Sequence, residues 1–325
     1  MAFTIKTALG AFWLLLFVCA SQVLAAPVGL KTRDQNPMFQ AYYLPSIDIS
    51  LHQGWQTAHS VYLTNTFQNN RQGNETLLID VENYRYDFSI AYQQDKWRLS
   101  ATVPFIFNEG GSFDDAIEGW HDLFGLPQGG RTSRPHDQLD IIYTKNGQTF
   151  FSQTQATNDI GDIAVSLSYS LASANKNLSV ISLAVDLPTG SEKNISGNEA
   201  VDVALSLGQA YRPSKLTRLY GLFGVSLPGQ GGQLKQLQAS TVWASQIGLE
   251  HQFYPDWSAV FQLDAHTAFI NGSQLSELGN SLQIQIGLRV EQVTQNHDID
   301  LFFSEDILVG SAPDITVGIR IYQNY

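Results

Sequence analysis

The chain has 325 residues, a formal net charge of −12 and a single cysteine. The acidic balance argues against nucleic acid as a partner. One cysteine excludes an internal disulfide framework and a cysteine-based metal site. Charged residues make up only 15% of the chain and aromatic residues 11%, which is typical of a β-barrel with a lipid-facing outer surface and a polar lumen.

Residues 1–25 carry the features of a secretory signal peptide. Lys6 supplies a positive start, residues 8–20 are apolar, and Val23-Leu24-Ala25 fits a cleavage site. The apolar run is shorter than the roughly 20 residues that cross a bilayer as a helix. We therefore predict export through the inner membrane to the cell outer membrane. The mature chain would contain no cysteine, because Cys19 lies in this segment.

Residues 26–56 come next and show little regular alternation. They hold a polar motif, Arg33–Pro37, and the pair Leu44-Pro45. Two interpretations stay open at this point. The segment either plugs the barrel lumen from the periplasm or forms a tether before the first strand.

From residue 57 to 325, apolar and polar residues alternate with a period of two, as in Leu282, Ile284 and Ile286 against Gln283 and Gln285. The runs are near the ~9–11 residues of a tilted membrane strand. They predict an all-β fold, a transmembrane antiparallel β-barrel of about 12 strands, within a range of roughly 10–14. The predicted strands are 57–67, 77–93, 96–107, 160–171, 178–187, 200–210, 217–226, 241–252, 257–267, 281–291, 297–304 and 314–325.

The connections alternate between short and long. Short connections are predicted at 94–95, 173–177, 212–215, 254–256 and 292–296, and long ones at 68–76, 108–159, 188–199, 227–240, 268–280 and 305–313. Short periplasmic turns and long outer loops produce this alternation, with both termini in the periplasm.

The apolar faces need a partner, either membrane lipid or a second sheet in a soluble periplasmic β-sandwich. Aromatic residues near strand ends favour lipid, because such residues form belts at the membrane interface. The predicted belt residues are Tyr84, Trp97, Trp243, Trp257, Tyr254 and Tyr325.

The polar faces carry charges of both signs, which are candidates for lining the lumen. A wet pore would use them for selectivity, whereas a closed barrel would pair them as structural contacts. The candidates are Arg85, Asp87, Arg98, Asp162, Asp186, Asp202, Arg218, Glu250, Asp264, His266, Arg289, Glu291, Asp300 and Arg320.

The long connection 108–159 predicts a short amphipathic helix that begins near Asp114 and ends near Gly125. Such a helix could narrow the barrel mouth, or the loop could pack on its own apolar residues. The constriction candidates are Phe113, Asp114, Asp115, Trp120, His121 and Phe124. The acids and histidines of this loop match no calcium-loop spacing, so we predict an acidic rim and no metal or other cofactor.

Asp264 and His266 lie two positions apart on one predicted face, which leaves an outer-membrane hydrolase as a minor hypothesis. No Gly-x-Ser-x-Gly elbow is present. We therefore predict no enzyme activity and no catalytic residues.

The last strand alternates through Ile315, Val317, Ile319 and Ile321 and ends on Tyr325. It resembles the terminal strand by which outer-membrane barrels are recognised for assembly, although Gln323 departs from that pattern. The resemblance implies the barrel-assembly machinery as a partner, besides the lipid of the outer membrane.

Two further blocks resemble a known family. Residues 75–131, with Gly110-Gly-Ser-Phe-Asp-Asp, and the motif Arg33-Asp-Gln-Asn-Pro37 are similar to the bacterial family labelled domain of unknown function 3187. Asp34 stands where that family would have Asn. The resemblance implies a Gram-negative outer-membrane setting and supplies no functional residues. The leading functional hypothesis is a pore or uptake channel for small solutes, and the alternative is a closed structural or surface-interaction barrel.

Overall fold

The computed structural model describes residues 28–50, 52–125, 128, 130–174, 177–294, 296–308, 310 and 312–325. The predicted signal peptide, residues 1–25, lies outside the described residues. Within the described part, no helix has the length and apolar character needed to cross a membrane.

One antiparallel sheet of fifteen strands dominates the described residues. Its strands are β1 (Gly54–Gln72), β2 (Glu75–Gln94), β3 (Trp97–Glu109), β4 (Asp140–Lys145), β5 (Gln148–Gln153), β6 (Thr157–Ile160), β7 (Ile163–Ala174), β8 (Asn177–Leu187), β9 (Asp202–Tyr211), β10 (Thr217–Leu227), β11 (Val242–Tyr254), β12 (Trp257–His266), β13 (Ser281–Thr294), β14 (His297–Asp306) and β15 (Ile315–Asn324). The helix α1 spans Asp114–Phe124, and short 3-10 turns span Arg131–Ser133, Glu192–Asn194 and Ser276–Leu278.

The sheet closes on itself as a barrel. β1 pairs with β2 on one side and with β15 on the other, and Ser60 lies opposite both Asp87 and Arg320. Twelve strands, β1–β3 and β7–β15, form the closed ring. The predicted transmembrane barrel is confirmed, and its last strand pairs with its first. The β-sandwich alternative is wrong, because a single closed sheet has no second sheet to pack against.

The two ends of the barrel differ. Short connections follow β2, β7, β9, β11 and β13, and these lie with the start of β1 and the end of β15 at what we call the short-turn end. Longer connections follow β3, β8, β10, β12 and β14 at the opposite, long-loop end. The predicted alternation of loop lengths is confirmed for these connections.

The predicted long connection at 68–76 is wrong. β1 and β2 continue as a hairpin to the pair Gln72 and Glu75, and the turn contains Gly73 at a φ of 58°, a backbone state that glycine adopts at low cost. The period-two pattern continues on β2, where Leu77, Ile79 and Val81 are buried. The polar run 68–72 on β1 hid this extension, because its residue types are common in loops.

The connection 108–159 is more ordered than predicted. The helix is confirmed as α1, and Gly125 follows it at a φ of 67°, the usual left-handed end of a helix. Three short strands were missed: β4 pairs with the extended part of β2, β5 with β4, and β6 with β3. The predicted strand 160–171 is also wrong at its start. A break at residues 161–162 separates β6 from β7. Gly161 lies in this break, where a side chain would meet Pro104 Cγ at 2.8 Å.

The outer surface is apolar and exposed, as a lipid-facing surface must be. On β15, Val317 and Ile319 are 48% and 36% exposed, whereas the inward-facing Arg320, which follows Ile319, is 5% exposed. Near the short-turn end, Trp97, Trp257 and Tyr254 are exposed. The inner surface is therefore the polar one, and most of its side chains are buried.

Residues 28–50, which we call the inner segment, explain that burial. The segment lies inside the barrel and folds back on itself through a bridge between Val28 and Ile49. Its apolar residues Leu30, Phe39 and Ile47 are each 1% exposed. Of the two interpretations left open by the sequence, the contacts of these residues agree with a position in the lumen.

Candidate functional site in the barrel lumen

Gln262 on β12 holds the inner segment as a neighbouring strand would. Its Oε1 accepts a hydrogen bond from Leu30 N at 3.1 Å, and its Nε2 donates to Leu30 O at 3.1 Å. One step further along, Thr32 Oγ1 donates to Asp264 Oδ2 at 2.6 Å. A polar wall can bind a polar backbone in this way without leaving buried groups unpaired.

Further contacts reach the segment from other strands. Tyr43 N donates to Asp202 Oδ2 at 2.9 Å, and Ile47 N donates to Gln246 Oε1 at 2.6 Å. Arg33 Nη2 donates to the carbonyl oxygens of Gln40 and Tyr42 at 2.9 and 2.8 Å. These last two bonds fold residues 33–42 into a compact turn.

That turn closes the long-loop end with an apolar cluster. Tyr42 stacks on Phe269 with ring centroids 4.8 Å apart, and Phe39 lies 5.3 Å from the same ring. Residues of the extended hairpin, of β4 and β5 and of several loops complete the cluster, among them Leu77, Ile79, Ile141, Tyr143 and Leu278. Side chains from both the segment and the loops thus pack together at this mouth.

On one side of the lumen, the charges form a continuous paired network. Arg289 donates to both oxygens of Asp300 at 2.7 and 2.9 Å, to Glu250 Oε2 at 3.0 Å and to Gly29 O at 2.6 Å. Arg218 donates to Glu250 Oε1 at 2.7 Å and to Glu291 Oε1 at 3.0 Å. A buried guanidinium needs such partners to offset its lost hydration.

The opposite side is less completely paired. Arg85 Nε donates to Asp87 Oδ1 at 2.7 Å. Arg98 Nη2 donates to Gln56 Oε1 at 2.7 Å and lies 3.5 Å from Asp48 Oδ1 of the inner segment. A cavity of about 60 Å³ separates the segment from this wall, which is room for several water molecules. Its polar lining includes Lys31, Arg33, Arg85, Asp87, Asp162 and Asp186.

The structure divides the predicted lumen residues into three groups by their contacts. The paired network holds Arg218, Glu250, Arg289, Glu291 and Asp300. Arg85, Asp87 and Asp186 line the cavity, and Arg98 and Arg320 are buried on the same side of the lumen. Asp162, Asp202, Asp264 and His266 bind loop or inner-segment groups. Their part in selectivity stays a prediction.

With this geometry in place, comparison with known proteins identifies the family. The profile of a family described as Protein of unknown function (DUF3187) matches residues 13–322. The chain belongs to this family. The resemblance seen in the sequence is thereby confirmed. No curated protein sequence matches the chain.

Several solved structures are similar to the chain. The chain is similar to an outer membrane channel of the COG4313 group from Pseudomonas putida F1, with 13% identity, a TM-score of 0.56, and coverage of 88% of this chain and 98% of that chain. It also matches a KdgM porin at 8% identity, a TM-score of 0.43 and coverage of 82% and 99%. A toluene transporter, TodX, from Pseudomonas putida matches at 9% identity, a TM-score of 0.41 and coverage of 84% and 90%.

In this DUF3187 chain, the side chains of His266 and Asp264 are each bonded to other partners. His266 Nε2 lies 2.9 Å from Asp34 Oδ2, and Nδ1 lies 2.9 Å from Thr267 O. Asp264 instead accepts from Thr32, Gln246 and Gln262. Both ring nitrogens of His266 face acceptors, so neither is placed to take a proton from a serine in this arrangement.

The helix α1 lies at the long-loop end beside the β1–β2 hairpin. Asp114 Oδ1 accepts from Arg131 at 2.8 Å, and Arg131 also bonds Asp314 at 2.6 Å. Phe113 N donates to Glu82 at 2.6 Å. The side chains of the candidates Trp120, His121 and Phe124 lie outside the described residues, and a constriction by this helix stays a prediction.

Three acidic residues of the same loop, Asp114, Asp115 and Glu118, have basic partners. His136 lies 3.0 Å from Asp115 and 3.2 Å from Glu118, and Asp137 N donates to Asp114. Among the residues whose positions are described, no group of three or more His, Cys, Asp or Glu side chains is arranged to hold a metal ion.

The loop pairing of His136 leads to a pH prediction. Partial loss of hydration lowers the pKa of His136, but the carboxylates of Glu118 and Asp115 outweigh it and raise that pKa above its ordinary value of 6.5. Because the folded pKa is the higher one, the stabilisation is full below pH 6.5 and is lost as pH rises through the folded pKa. Hydrogen exchange of residues 114–137 should therefore be slower at pH 6 than at pH 9 after correction for intrinsic rates.

The His136→Asn variant is the matched control for that measurement. It keeps a polar side chain but removes the charge, so its corrected exchange rates should be equal at the two pH values. A pH effect that persists in this variant would assign the effect to another group.

The inner segment contains the site residues that sequence reasoning missed. Lys31, Asp34 and Asp48 lie before the first predicted strand, and each contacts another charged or titratable group. A signal was available in the mixture of charged residues with Phe39 and Tyr42, because a flexible tether has no reason to carry large aromatic residues.

Proposed function

We propose that the protein is an outer-membrane pore for small solutes that the inner segment closes. The observation that carries this proposal is that the inner segment, which precedes β1, occupies the lumen. The lumen is not filled by large inward side chains of the barrel wall. The shared fold with an outer membrane channel supports the same reading. Release of the segment would leave a lumen lined by polar groups.

The chemistry of the contacts allows such a release. Most bonds between segment and wall join polar groups, such as Thr32 with Asp264 and Tyr43 N with Asp202. Water that enters the lumen can replace these bonds one for one, so each contributes only about 0.5–1.5 kcal/mol to closure. The apolar cluster around Phe39 and Phe269 is the larger barrier.

The same proposal assigns an orientation and a non-enzymatic role. The short-turn end would face the periplasm and the long-loop end the outside, as in other barrels of this kind. A solute arriving from outside would first meet the apolar cluster and then the charged lumen. His266 and Asp264 would act by holding the segment through Asp34 and Thr32, and not by catalysis.

A reversible covalent lock tests the proposal directly. A side chain at Gly287 on β13 would start 2.8 Å from Leu30 Cδ1, so we choose these two facing positions for a cysteine pair. Leu30→Cys with Gly287→Cys, in a Cys19→Ser background, would tie the segment to the wall. Single-channel current in a planar bilayer should be absent for the oxidised protein and should return after reduction.

The reduced form of the same protein is the internal control, and Leu30→Cys alone controls for the loss of the leucine. Mass spectrometry reports whether the disulfide has formed. Equal currents through the oxidised and reduced forms would rule out the segment as the gate. No current in any form, with an intact barrel by circular dichroism, would rule out the pore.

A closed structural barrel is the second candidate. The continuous network from Arg218 through Glu250 and Arg289 to Asp300 favours it, because paired buried charges hold a lumen together. The bilayer experiment distinguishes the two functions, since only a pore gives a current that depends on reduction.

A further inference from the structure

One carboxylate of the inner segment lies among three cationic side chains. Asp48 Oδ2 is 3.3 Å from Lys31 Nζ, and Asp48 Oδ1 is 3.5 Å from Arg98 Nη2. Arg320, on β15, lies on the same side of the lumen, opposite Ser60, which lines the cavity together with Lys31. Lys31 belongs to the inner segment itself, whereas Arg98 and Arg320 belong to the wall. The wall therefore contributes two positive charges to one acid of the segment.

These two wall arginines have spare hydrogen-bonding capacity. Arg98 and Arg320 are only 6% and 5% exposed. Nevertheless, Arg98 Nε and Nη1 and Arg320 Nε have no hydrogen-bond partner among the described residues. The guanidinium of Arg320 lies 4.2 Å from the centre of the Tyr322 ring. Arg289, which is equally buried, differs because it is bonded to Asp300, Glu250 and Gly29.

Buried donors without partners are costly in a structure that serves only stability. They are expected where a ligand supplies the missing acceptors. A carboxylate has two oxygens that match the parallel donors of a guanidinium. Asp48 Oδ1 reaches the guanidinium of Arg98 only through Nη2, at 3.5 Å, which is long for a charge-assisted bond. Asp48 therefore satisfies the donors of this guanidinium only in part.

We propose that Arg98 and Arg320 form a binding site for the carboxylate of a small organic acid, and that Asp48 occupies this site as an internal ligand in the closed state. The proposal rests on the proposed function, because the solute reaches the site as the inner segment leaves. Lys31 and Asp48 leave together as a neutral pair, so the wall arginines then face the lumen without a counter-ion from the segment.

The site favours a single negative charge. Asp300 lies opposite Arg320 on the neighbouring strand, and it also acts on that arginine. A second negative charge on the ligand would be repelled by Asp300. A monocarboxylate replaces Asp48 charge for charge, whereas a phosphate dianion does not.

Competition for the segment tests this site without any measurement of transport. Ser50 is 4% exposed, and Ser50→Cys in a Cys19→Ser background provides a single thiol that a bulky maleimide reaches when the segment is released. Propionate is the probe, and neutral propionamide is its matched control. At ten times its dissociation constant, propionate should raise the released population, and with it the labelling rate, about tenfold. Propionamide should leave the rate unchanged.

Substitutions in the same background locate the effect. Arg98→Gln with Arg320→Gln should abolish the response to propionate, and Arg98→Gln alone should weaken it if the double variant fails to fold. Asp48→Asn should respond at lower propionate concentrations because the internal competitor is gone. Arg71 is an exposed arginine on the β1–β2 hairpin. The variant Arg71→Gln is therefore the control and should respond like the parent.

A labelling rate that ignores propionate, or that responds equally to propionamide, would overturn the proposal. So would a full response in Arg98→Gln with Arg320→Gln. Failure here and failure of the pore are distinguishable. A propionate response without bilayer current refutes the pore and keeps the site, whereas current without a propionate response refutes the site and keeps the pore.

Discussion

Replacement of Arg289 by methionine is expected to lower the free energy of unfolding by about 3–5 kcal/mol, the usual effect of breaking one side of a buried ion pair. Arg289 is fully buried. Methionine fills much of its volume, but among the described residues it leaves Asp300 with a bond only from Tyr322, and it removes the bond to Gly29 O. Urea unfolding of the barrel in lipid vesicles, followed by tryptophan fluorescence, measures the change.

Two further variants make that result interpretable. Arg71→Gln removes an exposed arginine and should change the free energy of unfolding by less than about 0.5 kcal/mol. Arg289→Met combined with Asp300→Leu should recover part of the loss, because the unpaired carboxylate is then also gone. If Arg289→Met were as stable as Arg71→Gln, the network would not hold the lumen together.

Deletion of residues 28–48 is expected to raise the single-channel conductance by about tenfold or more, because water then fills the polar lumen of a barrel this wide. The deletion removes Phe39 and Tyr42 from the apolar cluster at the long-loop end. None of the deleted residues belongs to a barrel strand. Planar-bilayer recordings of the deleted and full chains provide the comparison.

A point substitution tests the same prediction in case the deleted chain does not fold. Thr32→Val keeps the shape of the side chain but removes the hydroxyl that donates to Asp264. It should raise the fraction of time spent in the conducting state without a change in the full conductance. Equal conductance of the deleted and full chains would show that the lumen is blocked by something other than the inner segment.

The barrel itself was predictable because lipid imposes a simple pattern. Every spanning strand must present apolar residues outwards, so Val317 and Ile319 alternate with Arg320 in the sequence as they do in space. The extended hairpin was missed for a related reason. Outside the lipid, no such constraint acts on residues 68–72, and their polar composition is equally common in loops. Their pairing depends on the partner strand, residues 75–79.

The sequence predicts which residues face the lumen, but it does not predict which of them contact one another. The sequence shows that Arg98, Arg289 and Arg320 face inwards, yet all three look alike there. The structure separates them. Two carboxylates, of Glu250 and Asp300, bind Arg289, whereas Asp48 is the one carboxylate paired with Arg98 among the described residues. Partners on strands distant in sequence are set by barrel closure and register, which no local pattern contains.

The sequence by itself determined the closed antiparallel barrel, its polar interior and the two kinds of connection, because strand alternation and turn residues are local properties. Only the tertiary structure decided what fills the interior. Residues 28–50 have no regular alternation, since their environment is the irregular inner wall and not lipid. Their position follows from individual bonds, such as those of Leu30 with Gln262 and Thr32 with Asp264, between residues more than two hundred positions apart in the chain.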